Sequence, residues 1–558
     1  MADALASGAS VRKGVGVQIP PRAPIVLSQD LESSNPQGRG FLCFAGALVR
    51  GPHAKDPLLL LGVSDMDMSW IDCPLHQDEV DGVPVVWREG PPPLQASLQF
   101  RVGIADETFV TSGITHAVEH LAMRAVGRWP QEVNAGVGNL LTDFSTSGRP
   151  ELVADFLGAI CRALSALPVD NLALELGVLE TEAERGGGSP ADSLLALRLG
   201  ARGPGLSGFD EPALRTITAA EVSEWVARWF VRGNAVLALS GPPPEGLRLS
   251  LPDGPRQPPP QVNPRPLPGR VWDDLYDGVA LGLLADLPDE RLQEAFWSGV
   301  RIAGDRVERI LRHERGLAYE VEGWITMIGR RVAHGVVTAD SHDRHAAEVV
   351  TVLVDTLDSL ATTGPTSEEL AFDLAQLREW LTDPRGVWAS TDTRASDLLI
   401  GAEGPAEVDR MRLIQSMDGT EVRDALAAVS GNAMLLVPDD IEVDRPGWQR
   451  ASASTSPPLK GQVLRRRFRS WAPRGARLVY SPDEGVTLLT DQPGGNVTAR
   501  WDDIVGVGVH KEGHLLVQTG DGEAVPLRAQ DWRGGGAAIA ALRTQVPERL
   551  FFQGPDDD

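Results

Sequence analysis

One short run of the chain carries two histidines and a carboxylate at a spacing that can do chemistry. Thr111-Ser-Gly-Ile-Thr-His-Ala-Val-Glu-His-Leu-Ala-Met123 contains His116, Glu119 and His120. In a helix, residues four apart share a face, so both imidazoles reach one point, with Glu119 beside them. Two imidazoles facing one point begin a zinc site, and zinc lowers the pKa of a bound water toward about 7. A carboxylate at that place can accept the water proton. The order H-x-x-E-H is the reverse of the H-E-x-x-H zinc helix.

A zinc site of this type needs a third protein ligand and an open position. The stretch Asn171 to Arg185 reads as a helix and offers Glu175, Glu180, Glu182 and Glu184. Glu175 and Glu182 are seven apart, which puts them on one face two turns from each other.

These groups need elements to position them. Ser112 to Val126 has Ile114, Ala117, Val118, Leu121 and Ala122 at helical spacing. Asp81 to Arg88 and Gln95 to Val102 alternate like paired strands, Leu152 to Leu167 and Leu214 to Phe230 read as helices, and Ala235 to Ser240 as a buried strand. Residues 69–245 therefore form one α+β lobe. A Pro-rich linker follows at 246–269, where repeated prolines exclude helix and central strand.

A similar pattern recurs over 270–445. It has a strand at Val279 to Leu284, helices at Asp289 to Arg312, Arg344 to Thr362 and Ser367 to Thr382, and a strand at Ala433 to Val437. Two similar α+β lobes are thus expected. A second linker, 446–464, leads to a small β module at 465–550 with short strands and a closing helix at Gly534 to Val546. Residues 1–68 have no period and read as a disordered tail, or as sequence upstream of a true start at Met66 or Met68.

Composition narrows the function. The chain has 558 residues, 42% hydrophobic and 23% charged, with a net charge of −25. That charge argues against nucleic acid as a partner, because phosphate binding needs a basic surface. It suits solubility, and an acidic chamber would prefer basic substrates. No run of eighteen apolar residues exists, so no transmembrane segment is expected. Cys43, Cys73 and Cys161 form no C-x-x-C pair. Few cysteines and no secretory signal pattern point to the cytoplasm.

The H-x-x-E-H helix, followed by the Glu175/Glu182 pair, resembles the pitrilysin/insulinase family of zinc metallopeptidases, which includes the mitochondrial processing peptidases and shows the inverzincin pattern. The resemblance covers about residues 75–440. It implies a zinc ion (Zn2+) held by His116, His120 and Glu182, with Glu119 as general base and Glu175 supporting a ligand. Glu180 is a lesser alternative for the third ligand. Val133-Asn-Ala135 matches the family's Asn-Ala strand, which implies that Asn134 and Ala135 receive peptide by edge-strand addition.

Leu311-Arg-His-Glu-Arg-Gly-Leu-Ala-Tyr-Glu-Val321 matches the family's second motif, and implies that Arg312 and Tyr319 position substrate. One departure is that the interval from His120 to Glu182 is about a dozen residues shorter than the family's usual one. The family's four-lobe chambers imply a dimer for a two-lobe chain, either a homodimer or a pair with a related subunit. The activity implied is hydrolysis of peptides or unfolded segments. The alternative is a catalytically silent scaffold or partner subunit.

Three features lie outside that motif set. His342 and His345 read as a solvated loop and helix start capped by Ser341 or Asp343. Arg465-Arg-Arg-Phe-Arg469, with Arg474 and Arg477, is a basic island suited to anionic lipid or an acidic partner. The tail around Trp501 and Trp532 resembles bacterial PH-like domains, which implies peripheral docking.

Overall fold

The computed structural model describes residues 74–554, except 186–188, 275–277, 403–406, 440, 452–455 and 491–494. The expected tail at 1–68 lies outside the described residues. The chain forms two compact units, one ending at Ala451 and one made by the residues from 456 onward except Gly520–Gly522.

The first half of the larger unit contains β1 (His76–Val80), β2 (Val83–Trp87), β3 (Leu94–Phe100), α1 (Ile114–Val126), β4 (Glu132–Val137), β5 (Thr142–Gly148), α2 (Pro150–Ser165), α3 (Leu172–Arg185), α4 (Pro190–Leu199), α5 (Ala219–Trp229) and β6 (Ala235–Leu239). Its six strands run in the order β1-β2-β6-β3-β5-β4. One face of this sheet buries Leu98, Phe100, Phe144 and Leu237 against Ala117, Val118 and Leu121 of α1 and Phe156, Leu157 and Ile160 of α2.

The second half repeats the plan with β7 (Arg270–Asp273), β8 (Val279–Asp286), α6 (Glu290–Glu308), β9 (Val321–Met327), β10 (Val332–Ala339), α7 (Ala346–Thr363), α8 (Ser367–Thr382), α9 (Pro384–Ile400), α10 (Glu407–Gln415), α11 (Gly419–Ser430), β11 (Met434–Leu436) and β12 (Trp448–Arg450). Its order, β12-β7-β11-β8-β10-β9, mirrors the first sheet. The α+β class expected from the sequence is the class observed.

The halves exchange helices. Leu194 and Leu197 of α4, a first-half helix, pack with Ala280, Val336 and Met434 on the second sheet. Ala395 and Leu399 of α9, a second-half helix, pack with Val86, Val236 and Ala238 on the first sheet. Polar bonds reinforce the second contact: Gln99 Nε2 donates to Asp392 Oδ1 at 2.6 Å and Arg88 Nη1 donates to Ser390 Oγ at 2.7 Å.

Several elements differ from the sequence reading. The helix expected from Leu214 begins at Ala219, because Thr218 and Glu221 close a capping box there. The stretch 246–269 has no helix or strand, yet it is more than a linker. Leu247, Leu249 and Leu251 are buried in the first core, and the Arg265 N–H donates to the Arg198 carbonyl at 2.8 Å. Trp448 is buried, and β12 pairs in parallel with β7, so the second sheet runs past the expected boundary at 445. The helix near His342 starts at Ala346 with His345 at the cap position and no side-chain cap bond, so Ser341 does not cap it.

The smaller unit contains β13 (Gln462–Arg465), β14 (Arg477–Ser481), β15 (Gly485–Leu489), β16 (Val497–Arg500), β17 (Ile504–Val509), β18 (Leu515–Thr519), β19 (Ala524–Leu527), α12 (Gly535–Gln545) and β20 (Phe551–Gln553). Two four-stranded sheets, β13-β14-β15-β16 and β19-β18-β17-β20, close on a core that includes Trp501, Trp532 and Leu542. Among the described residues, no single helix is long and apolar enough to cross a membrane.

Candidate metal centre

Helix α1 is fixed at both ends. Its first turn leaves backbone N–H groups without helical partners. Glu107, itself buried, supplies them: its carboxylate accepts from the N–H of Gly113 and from that of Thr115, each at 2.9 Å. Burial pushes the Glu107 pKa up to about 7, while the Thr115 and Gly113 bonds work the other way. Gly113 takes φ +91°, a conformation that glycine tolerates best. The helix ends at Gly127, also at positive φ, and the chain reaches β4 by residue 132.

The apolar stripe of α1 faces the core, and the helix packs beside β4. The ligating atoms of His116, Glu119 and His120 all lie within 4.8 Å of one another. His116 Nε2 and His120 Nε2 each sit 3.8 Å from Glu119 Oε2. Glu119 is buried, and the histidines are partly so.

The other nitrogen of each ring is also engaged. His120 Nδ1 is 3.3 Å from Glu175 Oε2, and His116 Nδ1 is 3.1 Å from Glu211 Oε1. A carboxylate on Nδ1 sets the tautomer and aims Nε2 outward as a ligand. Two such pairs aim both Nε2 atoms at the space in front of Glu119. Glu175 is buried on α3 and also accepts from Arg124 of α1. Glu182, two turns along α3, brings Oε2 to 3.4 Å from His120 Nε2 and remains about half exposed. Glu180 instead accepts from Arg215 Nε at 2.6 Å.

The donor set fits zinc: two imidazole nitrogens with fixed tautomers and one carboxylate beside them. The charges agree. Burial disfavours a proton on His116, but the Glu211 hydrogen bond and the charges of Glu211, Glu119 and Glu182 outweigh it and carry the pKa up to about 9. Burial lowers the His120 pKa. Burial raises that of Glu119, the two histidines oppose the rise, and Glu182 adds to it.

Glu211 is absent from the sequence reading. It lies in an irregular loop at φ +42°, with no period or motif to mark it. Asp143 on β5 is a second unforeseen acid. Burial and the charges of Asp392 and Glu119 push its pKa up to about 7.

Asn134 and Ala135 lie on β4, the terminal strand of the first sheet, paired on one side with Ser145 and Phe144 of β5. Asn134 is exposed. The same position in the second sheet belongs to β9, and the Arg312/Tyr319 motif lies just before it. Here α6 runs on into a π turn at Arg309–Glu314, which carries Arg312. The Arg312 guanidinium stands 5.5 Å from the centre of the Tyr319 ring and donates to Glu308 Oε1 at 3.1 Å. Tyr319 is exposed. Among the described residues, no hydrogen bond or ion pair joins Arg312 or Tyr319 to the histidine cluster.

No protein-family model matches the sequence, and no curated protein matches it. Solved structures do. A protease from Helicobacter pylori aligns over 66% of this chain and 99% of its own, at 16% identity and a TM-score of 0.54. A Pseudomonas fluorescens protein described as a peptidase M16 inactive domain aligns over 67% of this chain and 100% of its own, at 16% identity and a TM-score of 0.55. Pitrilysin aligns over 66% of this chain and 45% of its own, at 15% identity and a TM-score of 0.51.

The larger unit has an M16 peptidase fold. At such identities the likeness is one of fold. Within that fold, this chain has a His116/Glu119/His120 group that could hold a metal ion.

Proposed function

We propose that this protein is a zinc-dependent metalloendopeptidase acting on peptides or unfolded segments. The observation that carries the reading is the double clamp, Glu211 on His116 and Glu175 on His120, which turns both Nε2 atoms toward Glu119. His116, His120 and Glu182 would hold the ion. When bound, zinc supplies a Lewis acid that polarises a carbonyl and acidifies a water molecule.

The chain's own groups do the rest. Glu119 Oε2 lies against both ligand nitrogens, in place to accept a water proton and return it to the leaving amine. Burial has already raised its proton affinity. Among the described residues β4 is the terminal strand of its sheet, an edge on which an extended peptide can pair, with Asn134 exposed there. Arg312 and Tyr319 would bind substrate from the second half, and a homodimer or related subunit would complete a chamber. The cytoplasm is the compartment that the cysteine usage favours.

The test is cleavage of a peptide library read by mass spectrometry, comparing zinc-loaded wild type with Glu119→Gln. Cuts by the wild type that disappear in the variant are expected. A second reading is a silent scaffold, favoured by the contact of Arg312 and Tyr319 with each other. Absence of cuts by either protein, with zinc bound, would support that reading.

A further inference from the structure

The loop between β13 and β14 presents a surface that peptide hydrolysis does not use. Phe468 is 95% exposed and Trp471 is 79% exposed, and Val463 on the adjoining strand is 52% exposed. Large apolar side chains this bare are uncommon unless something covers them. Residues 462–477 contain six arginines (Arg465, Arg466, Arg467, Arg469, Arg474 and Arg477) and no acid, a local charge of +6 in a chain of net charge −25.

The loop is braced. Arg466 donates to the carbonyls of Ala472 and Ser470 at 2.5 and 2.7 Å, and Arg467 Nε to that of Trp532 at 3.1 Å. The Trp471 N–H donates to Asp531 Oδ1 at 3.1 Å, and the Arg528 guanidinium stands 5.5 Å from the indole centre. These contacts hold the backbone while both aromatic rings stay outside. Arg465, Arg469, Arg474 and Arg477 are exposed around them.

We infer that this loop docks the protein on anionic membrane surfaces, with Phe468 and Trp471 entering the headgroup boundary and the arginines meeting lipid phosphates. Trp favours that boundary because its ring is apolar at one end and polar at the other. Clustered arginines supply the attraction to anionic lipid, and the aromatics add buried apolar area. Charge complementarity selects an anionic surface. Single-stranded nucleic acid fits less well: stacking uses free ring faces, whereas Arg528 stands over Trp471 and Val463 adds an aliphatic contact that stacking does not need.

The test is co-sedimentation of the full chain with vesicles of phosphatidylcholine alone, or of phosphatidylcholine and phosphatidylglycerol in equal parts. The chain should bind the anionic vesicles and largely ignore the neutral ones. The double variant Phe468→Ala/Trp471→Ala should bind about tenfold more weakly. Arg465→Gln/Arg469→Gln/Arg474→Gln should weaken binding too, as should about 0.5 M salt. All five positions are exposed, and thermal unfolding matching the wild type would establish that the variants fold. Failure to bind anionic vesicles at low salt would overturn the inference, as would binding indifferent to the aromatic pair. Displacement from vesicles by polyuridylate at a lower concentration than phosphatidylglycerol would reassign the loop to nucleic acid.

Discussion

His116 Nδ1 lies 3.1 Å from Oε1 of Glu211, a residue ninety-five positions further along the chain. This contact and its counterpart, Glu175 on His120, make the two rings a matched pair. Removing a carboxylate that orients a ligand histidine typically costs 10–100-fold in metal affinity. Glu211→Gln should therefore bind zinc roughly 10–100-fold more weakly in competition with a chelating dye. Unchanged affinity would mean that the contact orients nothing.

Glu182 and Glu180 separate in the same assay. Glu182 Oε2 faces His120 Nε2, whereas Glu180 is engaged by Arg215. Glu182→Gln should lose most zinc binding and Glu180→Gln should keep it. The reverse result would make Glu180 the third ligand.

Gly113 joins the cap of α1 to the Glu211 loop. A Cβ there would come within 2.7 Å of a Leu214 methyl and 2.9 Å of the Glu211 carboxyl carbon, at a backbone φ of +91°. Gly113→Ala should cost on the order of 1–2 kcal/mol from backbone strain alone. It should also weaken zinc binding, because Glu211 must shift. Urea unfolding and zinc titration on one preparation would check both.

His334 on β10 gives a pH signature remote from the metal centre. It is buried, its Nε2 has no hydrogen-bond partner, and burial alone lowers its pKa to about 3. The folded-state pKa is thus below the unfolded value. Its stabilising effect is complete above the unfolded pKa of about 6.5 and fades as pH falls toward 3. Near pH 4 the loss is about 3 kcal/mol. His334→Leu should flatten the fall in melting temperature between pH 6.5 and 4. An identical fall in both proteins would assign the effect to other groups.

The sequence made some of this legible and hid the rest for definite reasons. The helix expectations at 112–126 and 171–185 come close to α1 and α3 because each buries one apolar stripe with a regular period. The spacing of His116, Glu119 and His120 carried over directly, since i, i+3 and i+4 geometry is local.

Helix α4 escaped notice because Leu194 through Leu199 are all buried, leaving no polar face to set a period. Helix α9 escaped for the opposite reason: it turns Thr391 and Asp392 inward, so its buried side looks polar. Strand β5 buries Thr142, Phe144 and Thr146 in alternation, but its Ser, Thr and Gly content resembles a loop. Glu211 is a matter of tertiary structure: only the folded loop brings it to His116.

The exchange of α4 and α9 has a consequence for how this chain can be divided. A nick in the proline-rich strap at 251–269 would leave two fragments still clasped, each wearing a helix that belongs by sequence to the other. Made separately, each would show a bare sheet face, which invites aggregation. A truncated gene encoding residues 74–240 would retain His116, His120, Glu182 and both of their clamps, yet it would lack α9, which covers the back of the sheet beneath them. The indivisible hereditary unit for this site is therefore both halves together.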